Sequence, residues 1–173
     1  AFFNEGRKAL KKGNIDKAAE LVDKAAGIEP EEGKFYGLQG DVLAARNNFQ
    51  EALESYDRGI RQPGDFFNLY LRRGQILKRL DRPEMAREDL QKSLQLLPTA
   101  LAYNELGELA LAADRNAKAK EYFSQAASSE SEVGRKALAS LVRLDLPDNP
   151  GKYLETGAKV NDSNVAVAIL IRN

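Results

Sequence analysis

Residues 67–98 read FNLYLRRGQILKRLDRPEMAREDLQKSLQLLP, and the spacing within them decides the fold. Phe67, Tyr70, Leu71, Gly74 and Leu77 recur at the interval that places residues on one side of a helix. Asp65, just ahead, is expected to cap that helix. The pattern breaks at Leu80-Asp81-Arg82. Pro83 follows, and proline suits a first helical turn because the N–H it lacks would have no partner there. Met85, Ala86, Leu90 and Leu94 then mark the apolar side of a second helix. The segment is predicted to be two helices joined by a short turn.

Moving outward, the same arrangement returns. Gly74 has counterparts at Gly6, Gly40 and Gly107, with spacings of 34, 34 and 33 residues. Twelve residues after each glycine stands an alanine: Ala18, Ala52, Ala86 and Ala119. Four further on comes a bulky residue (Val22, Tyr56, Leu90, Phe123), and three beyond that a small one (Ala25, Gly59, Ser93, Ala126). Pro30, Pro63 and Pro98 fall near the ends of the first three repeats. Turns are expected at Lys12-Gly13-Asn14, Arg46-Asn47-Asn48 and Asp114-Arg115-Asn116, whose Gly, Asn and Asp residues suit left-handed or side-chain-bonded backbone. Self-similarity at this period marks a stacked repeat architecture. Gly and Ala at fixed places let two antiparallel helices approach to ~8–10 Å. The bulky residue is expected to fill the space between one repeat and the next. A lone helix pair cannot bury its apolar side, so the pairs are expected to stack into a right-handed superhelix with a concave inner surface.

These residues resemble the tetratricopeptide repeat, whose pattern runs from a bulky residue through Leu-Gly, Tyr, Ala, Phe and Ala to Pro. Tyr36, Tyr70 and Tyr103 stand four residues before their glycines, with Phe2 in the first repeat. Leu106-Gly107 keeps the Leu-Gly pair, whereas Glu5, Gln39 and Arg73 precede the other glycines. The resemblance covers residues 1 to about 133. It implies an all-α, TPR-like helical solenoid of four helix pairs, at about 1–32, 33–66, 67–99 and 100–133. The first helices would line a groove for a protein or peptide partner, with no cofactor and no catalytic residue. Family members that bind chaperone C-termini carry a clamp of Lys, Asn and Arg. At those places this chain has Phe3, Arg7, Leu38, Asn68 and Arg72. Only Arg72 fits, so chaperone-tail binding is not expected.

The chain is also similar, less specifically, to the repeat tails of bacterial envelope metallopeptidases. Residues 3–10, 95–100 and 144–153 carry that similarity. It implies an accessory region that positions substrate or assembles an enzyme whose catalytic domain lies outside this chain. The compartment would then be the bacterial periplasm, and otherwise the cytoplasm.

Composition bounds the chemistry. The 173 residues hold 26 basic and 26 acidic side chains, and this balance argues against a dedicated nucleic-acid binder. With no cysteine and no histidine, disulfides, thiol catalysis, Cys/His zinc sites and serine–histidine triads are excluded within the chain. No run approaches the ~18 apolar residues of a membrane span, so membrane insertion is not expected. The acidic and amide-rich turns at 145–149 and 161–164 lack the ligand spacing of a calcium loop. No metal site is expected.

After the fourth repeat, Val133, Ala137, Leu141 and Leu144 have helical spacing, Ser131 offers a cap, and Pro147 disfavours helix in the residue before it. A capping helix is therefore expected over 131–146. Val165, Val167, Ile169 and Ile171 alternate with other residues, and their β-branching favours strand. With 152–160 as partner, they predict a β-hairpin-like tail over 147–173. The apolar run ending at Asn173 suggests a sheet that continues beyond it. Counting back from Gly6, the first repeat would begin two residues before Ala1.

Groove-facing positions are expected at Arg7 and Lys11, then Lys34, Asp41 and Ala45, then Asn68, Arg72, Gln75 and Arg79, and finally Asn104, Glu105 and Glu108. Asn68, Arg72, Gln75 and Arg79 follow an i, i+4, i+7, i+11 run and so share a face. The strip would be basic in the third repeat and acidic in the fourth. A solvated helix face has the same pattern, since charged residues are ordinarily outside. Tyr36, Tyr70, Tyr103 and Phe123 are read as core, and Phe66 or Phe67 as an exposed anchor for a partner. Three roles stand open from sequence: a protein-interaction scaffold, a metallopeptidase accessory region, and a structural element whose C-terminal strands pair two copies.

Overall fold

The computed structural model describes residues 2–26 and 33–149. Among them the chain forms α1 (Phe2–Lys11), α2 (Ile15–Ala26), α3 (Gly33–Ala45), α4 (Phe49–Ile60), α5 (Phe67–Arg79), α6 (Pro83–Leu96), α7 (Ala100–Ala112), α8 (Asn116–Ala127) and α9 (Glu132–Asp145). It divides into two compact units, Ala1–Leu96 and Leu97–Asn173. In the first, α1/α2, α3/α4 and α5/α6 are successive helix pairs. In the second, α7/α8 is a fourth pair, and α9 packs on α8 and α7.

The turn inside each pair is one motif used four times. Gly13, Asn47, Asp81 and Asp114 have φ of 75°, 62°, 55° and 56°, the left-handed region. Each is followed by a residue whose N–H reaches back five positions. Asn14 bonds Ala9, Asn48 bonds Leu43, Arg82 bonds Leu77 and Arg115 bonds Ala110, all at 2.9 Å. This Schellman arrangement satisfies carbonyls that a helix end would leave open. As expected, Pro83 opens α6.

Close approach follows from the small residues. Ala18, Ala52, Ala86 and Ala119 are completely buried. A Cβ on Gly40 would lie 2.5 Å from the Tyr56 ring, and one on Gly107 would lie 2.6 Å from that of Phe123. The bulky residue of the second helix therefore seats first against the glycine of its own repeat, rather than only between repeats. The first repeat differs: there a Cβ on Gly6 would meet Leu38 of the next repeat at 3.0 Å.

Two local expectations need correction. Asp65 does not cap α5. Phe66 holds the N-cap position without a side-chain cap bond, and its ring packs over the backbone of Gly33 and Gly64. Ring burial thus sets the start of α5, and Phe66 and Phe67 are both half-buried rather than exposed anchors. Tyr36, Tyr70 and Tyr103 are likewise half-buried. The expected cap at Ser131 is present: its hydroxyl accepts from the Gly134 N–H at 3.2 Å. Thr99 does the same for α7 through Ala102, also at 3.2 Å. Lys120 of α8 donates to Asp145 at 3.0 Å and to Asp148 at 3.3 Å, tying the end of α9 to its neighbour.

Of the β tail expected over 147–173, Pro147 and Asp148 continue a turn, Asn149 follows it, and the remainder lies outside the described residues. No strand occurs among the described residues, so strand pairing between copies gains no support.

Candidate functional site

In the first unit, α1, α3 and α5 lie side by side in one layer, and their charged residues meet across it. Asp41 of α3 accepts a 2.8 Å hydrogen bond from the Tyr56 hydroxyl of α4. Arg72 of α5 approaches the same carboxylate oxygen, with Nε at 3.6 Å. The Arg72 side chain is 51% exposed and that of Asp41 31%, so both remain open to a ligand while paired. Burial raises the Asp41 carboxyl above its ordinary value. Arg72, the Tyr56 hydrogen bond and then Arg7 of α1 pull it the other way. For Tyr56, burial and the neighbouring Asp41 push the phenol upward, so it acts as a donor.

The sequence-predicted positions divide into two groups. Asp41 and Arg72 pair across α3 and α5, and Arg7 of α1 acts on the same carboxyl through its charge, with Lys11, Lys34 and Asn68 exposed along the same helices and Gln75 half-buried. Arg79 departs from the strip. Its guanidinium lies 4.5 Å from the centre of the Phe49 ring on α4, a cation–π contact. Ala45 is exposed and offers no polar group. In the second unit, the acidic face expected on α7 is turned to internal partners. Asn104 and Glu105 are buried. Asn104 donates to Glu108 at 2.9 Å, and Lys136 of α9 reaches Glu108 at 3.2 Å.

One heavily bonded charge in the first unit was not among the predicted positions. Arg73, where the repeat pattern has leucine, donates two hydrogen bonds to Asp89 of α6, at 2.7 and 2.6 Å, and a third to Asp57 of α4. It thereby joins the second helices of consecutive repeats. The Asp89 hydrogen bond, more than any other influence, raises the guanidinium above its ordinary value. Gln39, also at a leucine position, accepts from Ser55 at 3.0 Å. The offset is 16 residues in both cases, and that shared interval was the available signal. Among the described residues no group of three or more His, Cys, Asp or Glu is placed to hold a metal ion, and no helix is long and apolar enough to cross a membrane.

Paired helices with a buried Gly/Ala seam and a 34-residue turn motif have counterparts among known proteins. Tetratricopeptide repeat models match residues 3–65 and 67–99, together more than half of the chain. The chain belongs to the tetratricopeptide repeat family. It is 28% identical over 123 residues to mouse DnaJ homolog subfamily C member 7, an alignment covering 69% of this chain and 25% of that protein. The chain thus spans about a quarter of the length of the curated relatives it first matches. A TPR repeat-containing protein of Pseudomonas aeruginosa is 32% identical over 101 residues, 57% of this chain and 17% of that one. Among solved structures, P. aeruginosa pilF superposes with a TM-score of 0.81 at 20% identity, covering 94% of this chain and 76% of its own. A chain of the APC/C hetero-tetramer Cut9–Hcn1 gives 0.76 at 22%, covering 98% of this chain and 35% of its own. At such identities the likeness concerns the fold alone. TPR-type helical repeats generally mediate protein–protein interactions. None of these matches bears on the resemblance to metallopeptidase tails.

Proposed function

We propose that this TPR chain is a non-catalytic protein-interaction module, taking an extended or helical segment of another protein along the face of α1, α3 and α5. The observation that supports this reading is the pairing of Asp41 with Arg72 across the first helices of consecutive repeats, with the Arg7 charge acting on the same carboxyl. Asp41 and Arg72 stay partly open while paired. An Arg so placed can fork onto a carboxylate, and Asp41 can accept a backbone N–H. The half-buried Tyr70 and Tyr36 belong to the supporting layer rather than to the contact surface.

The test is binding of an array of short peptides to the wild-type chain and to Arg7→Glu/Arg72→Glu. Peptides that bind the wild type are expected to lose at least about tenfold in affinity in the variant, a cost of ~1.4 kcal/mol. Equal binding by both proteins would remove this face from the account.

A further inference from the structure

The charge of the first unit is sorted by helix. α1, α3 and α5 carry eight basic residues against two acids, Glu5 and Asp41. α2, α4 and α6 reverse the balance, with nine acids against five bases. Among these bases, Arg73 is engaged by Asp57 and Asp89, and Arg79 by the Phe49 ring. Glu5 stands two residues before Arg7 and so on the far side of α1. Arg7, Lys11, Lys34 and Arg72 are all exposed on these helices, and Asp41 is the carboxylate that Arg72 pairs with and Arg7 acts on. A chain with no net charge therefore presents a basic first-helix face backed by an acidic second-helix layer.

Resting on the groove reading above, we propose that this face recognises an acidic protein segment through its side-chain carboxylates, with no requirement for a chain terminus. Arg7 and Arg72 flank Asp41 from the two neighbouring helices. Because both act on the one Asp41 carboxylate, they suit acidic side chains close together in the bound segment. Asp41 sets the register. A peptide offers it a backbone N–H between two carboxylates, and the Tyr56 hydrogen bond holds the carboxylate in place to accept it. A nucleic-acid backbone places continuous negative charge there and no such donor. Its phosphates would meet Asp41 unfavourably, so a polypeptide is the better fit to this face.

The experiment uses fluorescein-labelled, C-terminally amidated peptides of about fifteen residues, long enough to cross three helices. One alternates Glu and Ser, a second Gln and Ser, a third Lys and Ser, and an oligothymidylate is the nucleic-acid probe. The Glu peptide is expected to bind, with the Gln peptide at least about tenfold weaker and the Lys peptide not bound. Arg7→Gln/Arg72→Gln should weaken the Glu peptide by a similar factor, whereas Lys17→Gln/Lys92→Gln on second helices should leave it unchanged. Binding of the Gln peptide that is as tight, and equally lost in Arg7→Gln/Arg72→Gln, overturns the acidic class but keeps the groove. Glu-peptide binding indifferent to Arg7 and Arg72 overturns both. Equal loss in the second-helix variant, oligothymidylate binding as tight as the Glu peptide, or no Glu-peptide binding at millimolar concentration each overturns the proposal.

Discussion

The Tyr56 hydroxyl donates a 2.8 Å hydrogen bond to Asp41, passing the point where Gly40 leaves the helix bare. The glycine that permits close packing is thus adjacent to the acid that sits on the open face. Tyr56 is 1% exposed, so its hydroxyl has no route to solvent as a substitute partner. Tyr56→Phe removes a bond to a charged group and is expected to cost about 1.5–3 kcal/mol in urea unfolding, with the helical content unchanged. A loss within error of zero would mean the ring alone matters.

Asp41 gives a pH signature. Burial lifts its carboxyl above the ordinary aspartate value, so the folded protein binds this proton more tightly than the unfolded chain. The ionised group therefore opposes folding. The penalty is complete above the folded pKa, shrinks as pH falls through it, and vanishes below the unfolded value. Asp41→Asn is expected to raise the thermal midpoint at neutral pH and to leave it nearly unchanged at about pH 3, below the unperturbed aspartate value. An equal gain at both pH values would assign the effect to something other than ionisation.

Arg73 and Asp89 make a second, opposite case. The Asp89 side chain is 7% exposed and that of Arg73 24%, so breaking the pair strands a buried charge. Arg73→Leu, although it restores the usual repeat residue, is expected to destabilise by about 3–5 kcal/mol. Arg73→Leu/Asp89→Leu should recover most of that, because a well-packed apolar pair replaces a buried ion pair at little or no net cost. A double-mutant cycle in denaturant measures it. Additive losses would show that Arg73 is not acting through Asp89.

How far these features were legible follows from what sets them. The Gly/Ala seam is dictated by backbone approach, which admits few residue types, so Gly40, Ala52, Gly107 and Ala119 could be read directly. The left-handed turn residues Asn47, Asp81 and Asp114 are legible for the same reason. Side-chain pairing is different. Arg73 announced itself only as a departure from leucine, and its partners depend on the geometry of two helix pairs at once. Arg79 shares a helical face with Arg72, yet its long side chain reaches sideways to Phe49, which periodicity cannot register. The partner of Glu108 on α7 was hidden in the same way, because Lys136 arrives from α9, which lies outside the repeat.

Ser93 occupies the small-residue position that is alanine at 126. It is completely buried, and its hydroxyl has no hydrogen-bond partner among the described residues. A buried hydroxyl left unbonded forfeits its hydration without compensation. Ser93→Ala is expected to stabilise the chain by about 1 kcal/mol, raising the midpoint by ~2–4 °C. A loss instead would reveal a bond that the serine makes in solution.

Gly134 supplies the last prediction, and its sign is the point. It sits in the first turn of α9, where alanine would ordinarily improve a helix by about 1 kcal/mol over glycine. Here a Cβ would fall on the carbonyl oxygen of Ser129, which is backbone and cannot swing aside. The Gly134 N–H is also the donor to the Ser131 cap at 3.2 Å, so moving the glycine away breaks that bond. α9 brings Ala137 against Phe123 and Ala126, and loosening its start exposes that cluster. Gly134→Ala is therefore expected to destabilise by about 2–3 kcal/mol, against ~1 kcal/mol for Ser131→Ala alone. Urea unfolding of the two variants checks the order. Stabilisation by Gly134→Ala would mean that helix propensity outweighs the contact with Ser129, and that α9 begins differently in solution.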